Sequence, residues 1–361
     1  MKNKNILEFC LSPDLGGLEL FMVNCYQDFK TKTNTKIVIQ QGKKIDNYFE
    51  DDNKFYIKRN KFFPILPAKK LAKFLDENDI DVIHFHWTRD IATVVLARVL
   101  SEKKPKIIQT RNMSMTRFKD DFYHRWLYKN INTMHAVTYQ VKEQLEKFIP
   151  LDIRPHIEVV YMGTQEKYIE ENKLLALKEK YALKDEFLVG IVGRIEEGKG
   201  QYLVLEAVAK LKDLNLKAMV VGDTMDKDYL QELQQKVKDL DITDKVIFTG
   251  FTKEVDAHMQ LFNANVLATP RETFGLVVIE AMINRVCMIA TNKAGPLEII
   301  DNGVTGLLFD RTSEDLAKKI KILYDDKDFV HSLSLAGYEK AKSKFDKNIQ
   351  NEKLYNLIEN M

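Results

Sequence analysis

Cysteine is nearly missing: three among 361 residues, at positions 10, 25 and 287. The count is odd and no two stand at zinc-ligand spacing. Neither a disulfide framework nor a cysteine-bound metal is therefore expected, and a reducing compartment is the expected home. Long apolar runs are missing too, and no stretch approaches the roughly 20 residues that span a bilayer. The opening MKNKNILEFCLSPD is broken by Glu8 too early to read as a signal peptide, so the expected location is cytoplasmic. Low-complexity tracts and repeats with a 20–50 residue period are absent. Neither G-x-G-x-x-G nor G-x-x-x-x-G-K-[ST] occurs at the glycine loops, which argues against a nicotinamide dehydrogenase and a P-loop NTPase.

What is present is a globular composition, 45% hydrophobic and 30% charged. The net charge of +2 hides an asymmetry. Residues 1–150 hold 26 Lys and Arg against 18 Asp and Glu, a net of +8, and the remainder holds 29 against 35, a net of −6. One half is thus expected to meet an anionic ligand or surface.

Twelve short apolar runs read as strands. Six lie in the first half: Asn5–Leu11, Lys36–Gln40, Asp81–His86, Lys106–Thr110, Thr133–Thr138 and His156–Tyr161. Six lie in the second: Phe187–Gly193, Lys217–Gly222, Lys245–Thr249, Ala264–Ala268, Val286–Thr291 and Gly306–Phe309. Most are continuous rather than alternating, as strands buried on both faces of a parallel sheet are. Helix-period segments separate them, among them Pro67–Asn78, Ile91–Ser101, Gln201–Leu214, Asp226–Leu240 and Leu276–Asn284. The alternation predicts an α/β chain of two doubly wound, Rossmann-like domains facing each other across a cleft, residues 1–163 and 164–345. A last helix over 346–361, with Ile349, Leu354, Leu357 and Ile358 on one face, is free to pack back on the first domain. Ligands in such folds bind at the carboxyl ends of the strands.

Two glycine loops follow first strands and open helices. One is LSPDLGGLEL, with Gly16 and Gly17. The other is VGRIEEGKGQYLVLEA, with Gly193, Gly198 and Gly200. Glycines there let backbone N–H groups approach an anion at a helix N-terminus. Arg194 and Lys199 in the second loop are suited to diphosphate oxygens. The most specific stretch is TPRETFGLVVIEAMINRV. Glu272 falls in the loop before a helix, and Glu280 falls inside an apolar segment where a carboxylate needs a partner. That partner is either a buried salt bridge or a pair of sugar hydroxyls. The amides of Phe274, Gly275 and Leu276 form a second anion site.

With these motifs in order, the chain resembles the family 4 retaining glycosyltransferases, of GT-B architecture. The resemblance is carried by VGR…KG at 192–200, VVGD at 220–223, VIFTGF at 246–251, the glutamate pair at 272 and 280, and NKAGPLEIIDNGVTGLLF at 292–309. In the first half it is weaker, through GGLE at 16–19 and DVIHFH at 81–86. It implies a donor site in the second domain for a nucleotide-diphosphate sugar, UDP- or GDP-linked. Arg194 and Lys199 would bind the diphosphate, Glu272 the transferred sugar and Glu280 the ribose. Gly16, Gly17, Gly193, Asp223, Gly250, Phe251, Phe274, Gly275 and Leu276 would complete the donor contacts. No cofactor and no metal are implied, and no Asp-x-Asp motif stands at a strand end.

The resemblance implies a saccharide or lipid-linked saccharide acceptor on the first domain, as in lipopolysaccharide, capsule or glycolipid synthesis. It departs where many members carry a histidine, since KIIQTRNMS places Arg111 and Asn112 there, on the acceptor side. His84 and His86 share one strand face, and His86, at the carboxyl end, is the candidate catalytic imidazole. Basic and aromatic residues interleave over 54–74, which suits docking on an anionic membrane at its cytoplasmic face. No nucleic-acid-binding module is recognised. Two other functions fit the architecture, a nucleotide-sugar 2-epimerase and a non-catalytic nucleotide-sugar binding subunit.

Overall fold

The computed structural model describes residues 3–49, 54–60 and 63–361, which divide into two compact units. Unit 1 comprises residues up to Met162 together with Asn348–Met361, and unit 2 comprises Gly163–Lys347.

Among its described residues unit 1 has seven strands: β1 (Ile6–Phe9), β2 (Thr35–Ile39), β3 (Lys54–Tyr56), β4 (Val82–Phe85), β5 (Lys106–Arg111), β6 (Thr133–Ala136) and β7 (His156–Val159). Their order across the sheet is 3-2-1-4-5-6-7, and every pairing is parallel. Helices α1 (Gly17–Phe29), α2 (Ile65–Glu77), α3 (Ile91–Leu100), α4 (Phe122–Lys129) and α5 (Tyr139–Phe148) lie between them. The order reverses between β1 and β4, which opens a crevice at their carboxyl ends. In β1 every side chain is buried, and the fully enclosed Ile6, Leu7 and Phe9 explain why it reads as a continuous apolar run. Glu8 is enclosed among them. β3 was not among the predicted strands: KFY is three residues of half-buried edge flanked by charge, too short to show a period.

Unit 2 repeats the plan with β8 (Phe187–Val192), β9 (Leu216–Val221), β10 (Val246–Gly250), β11 (Ala264–Leu267), β12 (Cys287–Thr291) and β13 (Leu307–Phe309), ordered 10-9-8-11-12-13 and all parallel. Its helices are α6 (Glu171–Lys180), α7 (Gln201–Lys210), α8 (Lys227–Asp239), α9 (Val255–Met259), α10 (Leu276–Ile283), α11 (Pro296–Ile299), α12 (Ser313–Asp325) and α13 (Lys327–Lys344). A core of Val189, Val204, Leu205, Ala218, Val220 and Ile289, all near zero exposure, joins the sheet to α7 and α12. The switch point lies between β8 and β11.

The chain enters unit 2 at Gly163, and near Lys347 it turns back to unit 1. There the backbones pair: Thr164 N donates to Phe345 O, and Lys347 N donates to Thr164 O, each at 2.8 Å. A Cβ on Gly163 would lie 2.5 Å from the Lys347 Cα, so only glycine permits this approach. The last helix, α14 (Lys347–Glu359), buries Asn351, Leu354, Tyr355 and Ile358. The expected face differs in one respect: Ile349 is exposed, and Tyr355 takes the inward position, its ring tilted against Phe29 with the centroids 5.5 Å apart.

Candidate functional site

In unit 2 the predicted donor residues gather at the carboxyl ends of β8 to β12. β8 ends at Gly193, whose φ of 147° admits no ordinary side chain, and exposed Arg194 follows. The loop turns through Lys199 into Gly200, at φ 76°, before α7. A Cβ on Gly200 would lie 2.8 Å from the Ala268 Cβ, so glycine brings the start of α7 against the end of β11. That approach places the Lys199 ammonium 3.7 Å from the Glu272 carboxylate. Asp223 is exposed, and its carbonyl accepts from Ile195 N at 2.9 Å, which ties the loop after β9 to the loop after β8. Gly250 turns at φ 70°, and Phe251 beyond it is 71% exposed, an open aromatic face.

After β11 the chain runs through Glu272 to Gly275, at φ 100°, which opens α10 at Leu276. In that first turn the Val278 amide donates back to Gly275 O at 2.9 Å, and the amides before it lie at the positive end of the helix dipole. Phe274 contributes main chain only, since its ring is buried against Phe345 at 6.0 Å. Gly295 supports the loop from behind, donating from N to Glu272 O at 2.9 Å. The Glu280 carboxyl makes no hydrogen bond or ion pair among the described residues. Burial and the like charge of Asp256 push its pKa up to about 7, against the pull of Lys167. Of the two partners foreseen for it, no salt bridge is there. An open groove of about 610 Å³ lies between α7 and α8, lined by Tyr202, Tyr229 and Leu233, and touches this loop system only at Glu197.

In unit 1 Gly16 and Gly17 begin α1, but the Gly16 amide is taken: it donates to Glu19 Oε2 at 2.8 Å as half of a capping box. This loop therefore offers an anion less than its glycines suggested. Arg111, expected on the acceptor side, ends β5. It is nearly buried, and all three of its nitrogens are engaged: Nε with Met113 O at 2.7 Å, and the other two with Thr88 Oγ1 at 2.6 Å and Ser114 O at 2.9 Å. Its guanidinium braces the following loop, and burial lowers its pKa. Asn112 beside it keeps both side-chain polar atoms unpartnered.

His84 and His86 point to the same sheet face, as alternation requires, and both reach Glu8. His84 Nδ1 lies 2.8 Å from Glu8 Oε1, and His86 Nε2 lies 2.6 Å from Glu8 Oε2. His84 Nε2 continues to Thr110 Oγ1 at 2.6 Å, Thr110 to His135 Nδ1 at 2.8 Å, and His135 Nε2 to the Val160 carbonyl at 2.7 Å. Phe21 and Phe29 of α1 cover these rings. Burial alone would raise the Glu8 pKa, but the two imidazoles outweigh it and hold it low. Nearby, Asp90 accepts from Leu11 N at 2.8 Å through one oxygen, and the other has no hydrogen bond among the described residues. Burial pushes Asp90 up to about 7, with Arg59 only 4.0 Å away.

Among the described residues, the donor atoms of Glu8, His84 and His86 lie within 4.8 Å of one another, close enough to share a metal ion. Each imidazole already reaches one oxygen of Glu8. Glu8, Thr110, His135 and Asp90 were missed from sequence. The available signal was a carboxylate inside an apolar strand, and the same reasoning that singled out Glu280 applies to Glu8. Thr269, at the end of β11, was missed as well, and its hydroxyl is buried without a partner.

Residues 8–140 match the family described as glycosyl transferase 4-like, and residues 175–340 match the glycosyl transferases group 1. The chain is similar to the capsular polysaccharide biosynthesis glycosyltransferase CapM of Staphylococcus aureus, 28% identical over 54% of this chain and 52% of that one. It is also similar to the N-acetyl-alpha-D-glucosaminyl L-malate synthase of Bacillus anthracis, 26% identical over 67% of this chain and 64% of that one. A third relative is the human alpha-1,3/1,6-mannosyltransferase ALG2, 30% identical over 48% and 45%. The chain thus spans about half to under two thirds of the length of these relatives. Among solved structures, Anabaena HepE in complex with UDP and glucose superposes with a TM-score of 0.86 at 18% identity, covering 99% of this chain and 100% of that one. A glycosyltransferase from Rickettsia africae gives 0.89 at 20%, covering 100% and 99%. At such identities the likeness establishes the fold, the two Rossmann-like domains of GT-B glycosyltransferases.

Proposed function

We propose, for a chain that belongs to the group 1 glycosyl transferases and joins that domain to a glycosyl transferase 4-like first half, the transfer of a sugar from a nucleotide diphosphate to a saccharide or lipid-linked saccharide. The anomeric configuration is retained and no metal takes part. The observation that carries this reading is the Lys199–Glu272 pair, 3.7 Å apart over the N-terminus of α10. A cation, a carboxylate and a helix start at one strand edge suit a diphosphate with a sugar beyond it. Arg194 and Lys199 neutralise the charge that grows on the leaving diphosphate. Glu272 accepts hydrogen bonds from hydroxyls of the transferred sugar. Glu280 accepts them from the ribose, and Phe251 offers its open ring to the base. The acceptor hydroxyl attacks the face the diphosphate leaves, and a phosphate oxygen of the donor takes its proton.

The capsular polysaccharide relative supports a saccharide acceptor. No helix among the described residues is long and apolar enough to cross a membrane. Within 54–74, exposed Phe63, Ile65 and Leu66 stand beside exposed Lys69, Lys70 and Lys73. This pattern supports docking on an anionic membrane surface. Lys61 and Phe62 of that stretch lie outside the described residues.

The test is a thermal-shift panel of nucleotide diphosphates and nucleotide sugars without metal, on the wild type and on Glu280→Ala. A ligand bound only by the native state raises its stability by mass action. The expected result is a shift selective for one nucleotide and lost in Glu280→Ala. No shift from any nucleotide, in the presence or absence of anionic vesicles, overturns the reading. Product analysis without acceptor separates transfer from 2-epimerisation, and salt-sensitive co-sedimentation with anionic vesicles tests the docking.

A further inference from the structure

The protons of the buried chain in unit 1 follow from its far end. The Val160 carbonyl can only accept, so His135 Nε2 carries hydrogen. Burial lowers the His135 pKa to about 3, so the ring is neutral and its Nδ1 is bare. The Thr110 hydroxyl must then donate to that nitrogen, and its oxygen accepts from His84 Nε2–H. One proton remains between His84 Nδ1 and Glu8 Oε1. The other carboxylate oxygen accepts from His86 Nε2–H. His86 is itself neutral, since burial lowers its pKa to about 4, helped by His84 and opposed by Glu8. Its Nδ1 is therefore a bare lone pair. That atom is enclosed and has no partner among the described residues.

Two facts count against a purely structural role for this assembly. A buried ionic cluster is often no more stable than apolar residues of the same volume, so packing alone does not account for a glutamate inside β1. A buried acceptor left without a donor costs free energy, yet here one stands directly after β4, at the crevice edge of the sheet. The arrangement has the logic of a carboxylate that orients a histidine and fixes its tautomer.

We propose that Glu8 is a positioning residue. Anchored by the His84–Thr110–His135 chain, its carboxylate holds His86 in the Nε2–H form, so that the bare Nδ1, enclosed in this structure, is the acceptor kept for a hydroxyl of the carbohydrate substrate. The identity of the hydroxyl bearer rests on the glycosyl-transfer reading, whereas the tautomer does not.

The experiment has two arms. In the first, ¹⁵N NMR of the histidine-labelled wild type, assigned through His86→Asn, reads the protonation of each ring nitrogen. Hydrogen on His86 Nε2 and none on Nδ1 is expected. Hydrogen on Nδ1, or a stoichiometric metal in the purified protein held by the same three side chains, overturns the proposal. In the second arm, Glu8→Gln is compared with the wild type in steady-state transfer. A fall in kcat of roughly 10- to 100-fold is expected, the loss of one strong hydrogen bond in the transition state, with donor KM within about twofold and the nucleotide thermal shift kept. Unchanged kcat in a folded Glu8→Gln overturns the positioning role. The wild-type spectrum decides the tautomer even where Glu8→Gln does not fold. Absence of transfer by the wild type sinks the glycosyl-transfer reading and leaves the tautomer to the spectrum.

Discussion

Glu280 occupies an unusual electrostatic position. It sits on an apolar helix with no hydrogen bond or ion pair to its carboxyl among the described residues, and burial with Asp256 nearby pushes its pKa to about 7. The sign of the consequence is fixed. Below about pH 7 the carboxyl is neutral, and above it the carboxylate is able to accept two hydroxyl hydrogen bonds. A nucleoside diphosphate held through its ribose should bind more tightly as pH rises through 7, approaching tenfold per unit on the acidic side. Calorimetric Kd values at pH 6, 7 and 8 check this. Glu280→Gln supplies the reference, because the phosphate's own titration is common to both proteins. Equal slopes for the two proteins would remove Glu280 from the site. At this scale the second-half residues were legible in the sequence: a glutamate inside LVVIEAMI announces an unmet need wherever the helix packs. Arg111 was not. Its three hydrogen bonds run to Thr88 and to the carbonyls of Met113 and Ser114, partners supplied by the path of a loop rather than by any local pattern.

The elements that carry the proposed donor residues are held together by backbone contact. Gly295 shows this most directly. A Cβ there would meet Phe274 O at 2.5 Å and Thr273 O at 2.6 Å, both backbone atoms that cannot swing aside. Gly295→Ala is expected to push the 273–275 loop away from the start of α11, at a cost of about 1–3 kcal/mol typical of overpacking. Nucleotide affinity should fall with little loss of secondary structure, as calorimetry beside circular dichroism would report. Undiminished affinity would mean that this loop does not set the donor site. Strand ends, glycine turns and the opening of α10 were readable in the sequence because turn chemistry and burial are local properties. β3 was not, since three residues carry no period.

On the scale of the whole molecule, the chain leaves unit 1, completes unit 2 and returns. α14 is the returning piece, closing unit 1 with Leu354 and Ile358 near zero exposure and with Lys32 2.7 Å from Glu352. Leu354→Ala with Ile358→Ala should destabilise unit 1 by about 2–5 kcal/mol per site. Faster amide exchange in β1, β2 and α1, with β8 to β13 unchanged, would show it. Uniform loss of protection in both units would mean that the two unfold as one. By itself the sequence determined the α/β alternation, the parallel sheets and the glycine-turned strand ends, because each is written in residues close together along the chain. Only the tertiary structure decided that Glu8, His84, Thr110 and His135 meet. They come from four strands separated in sequence, and what aligns them is the register of β1 against β4, β4 against β5 and β5 against β6. Register is a property of the packed sheet, and no single strand carries it.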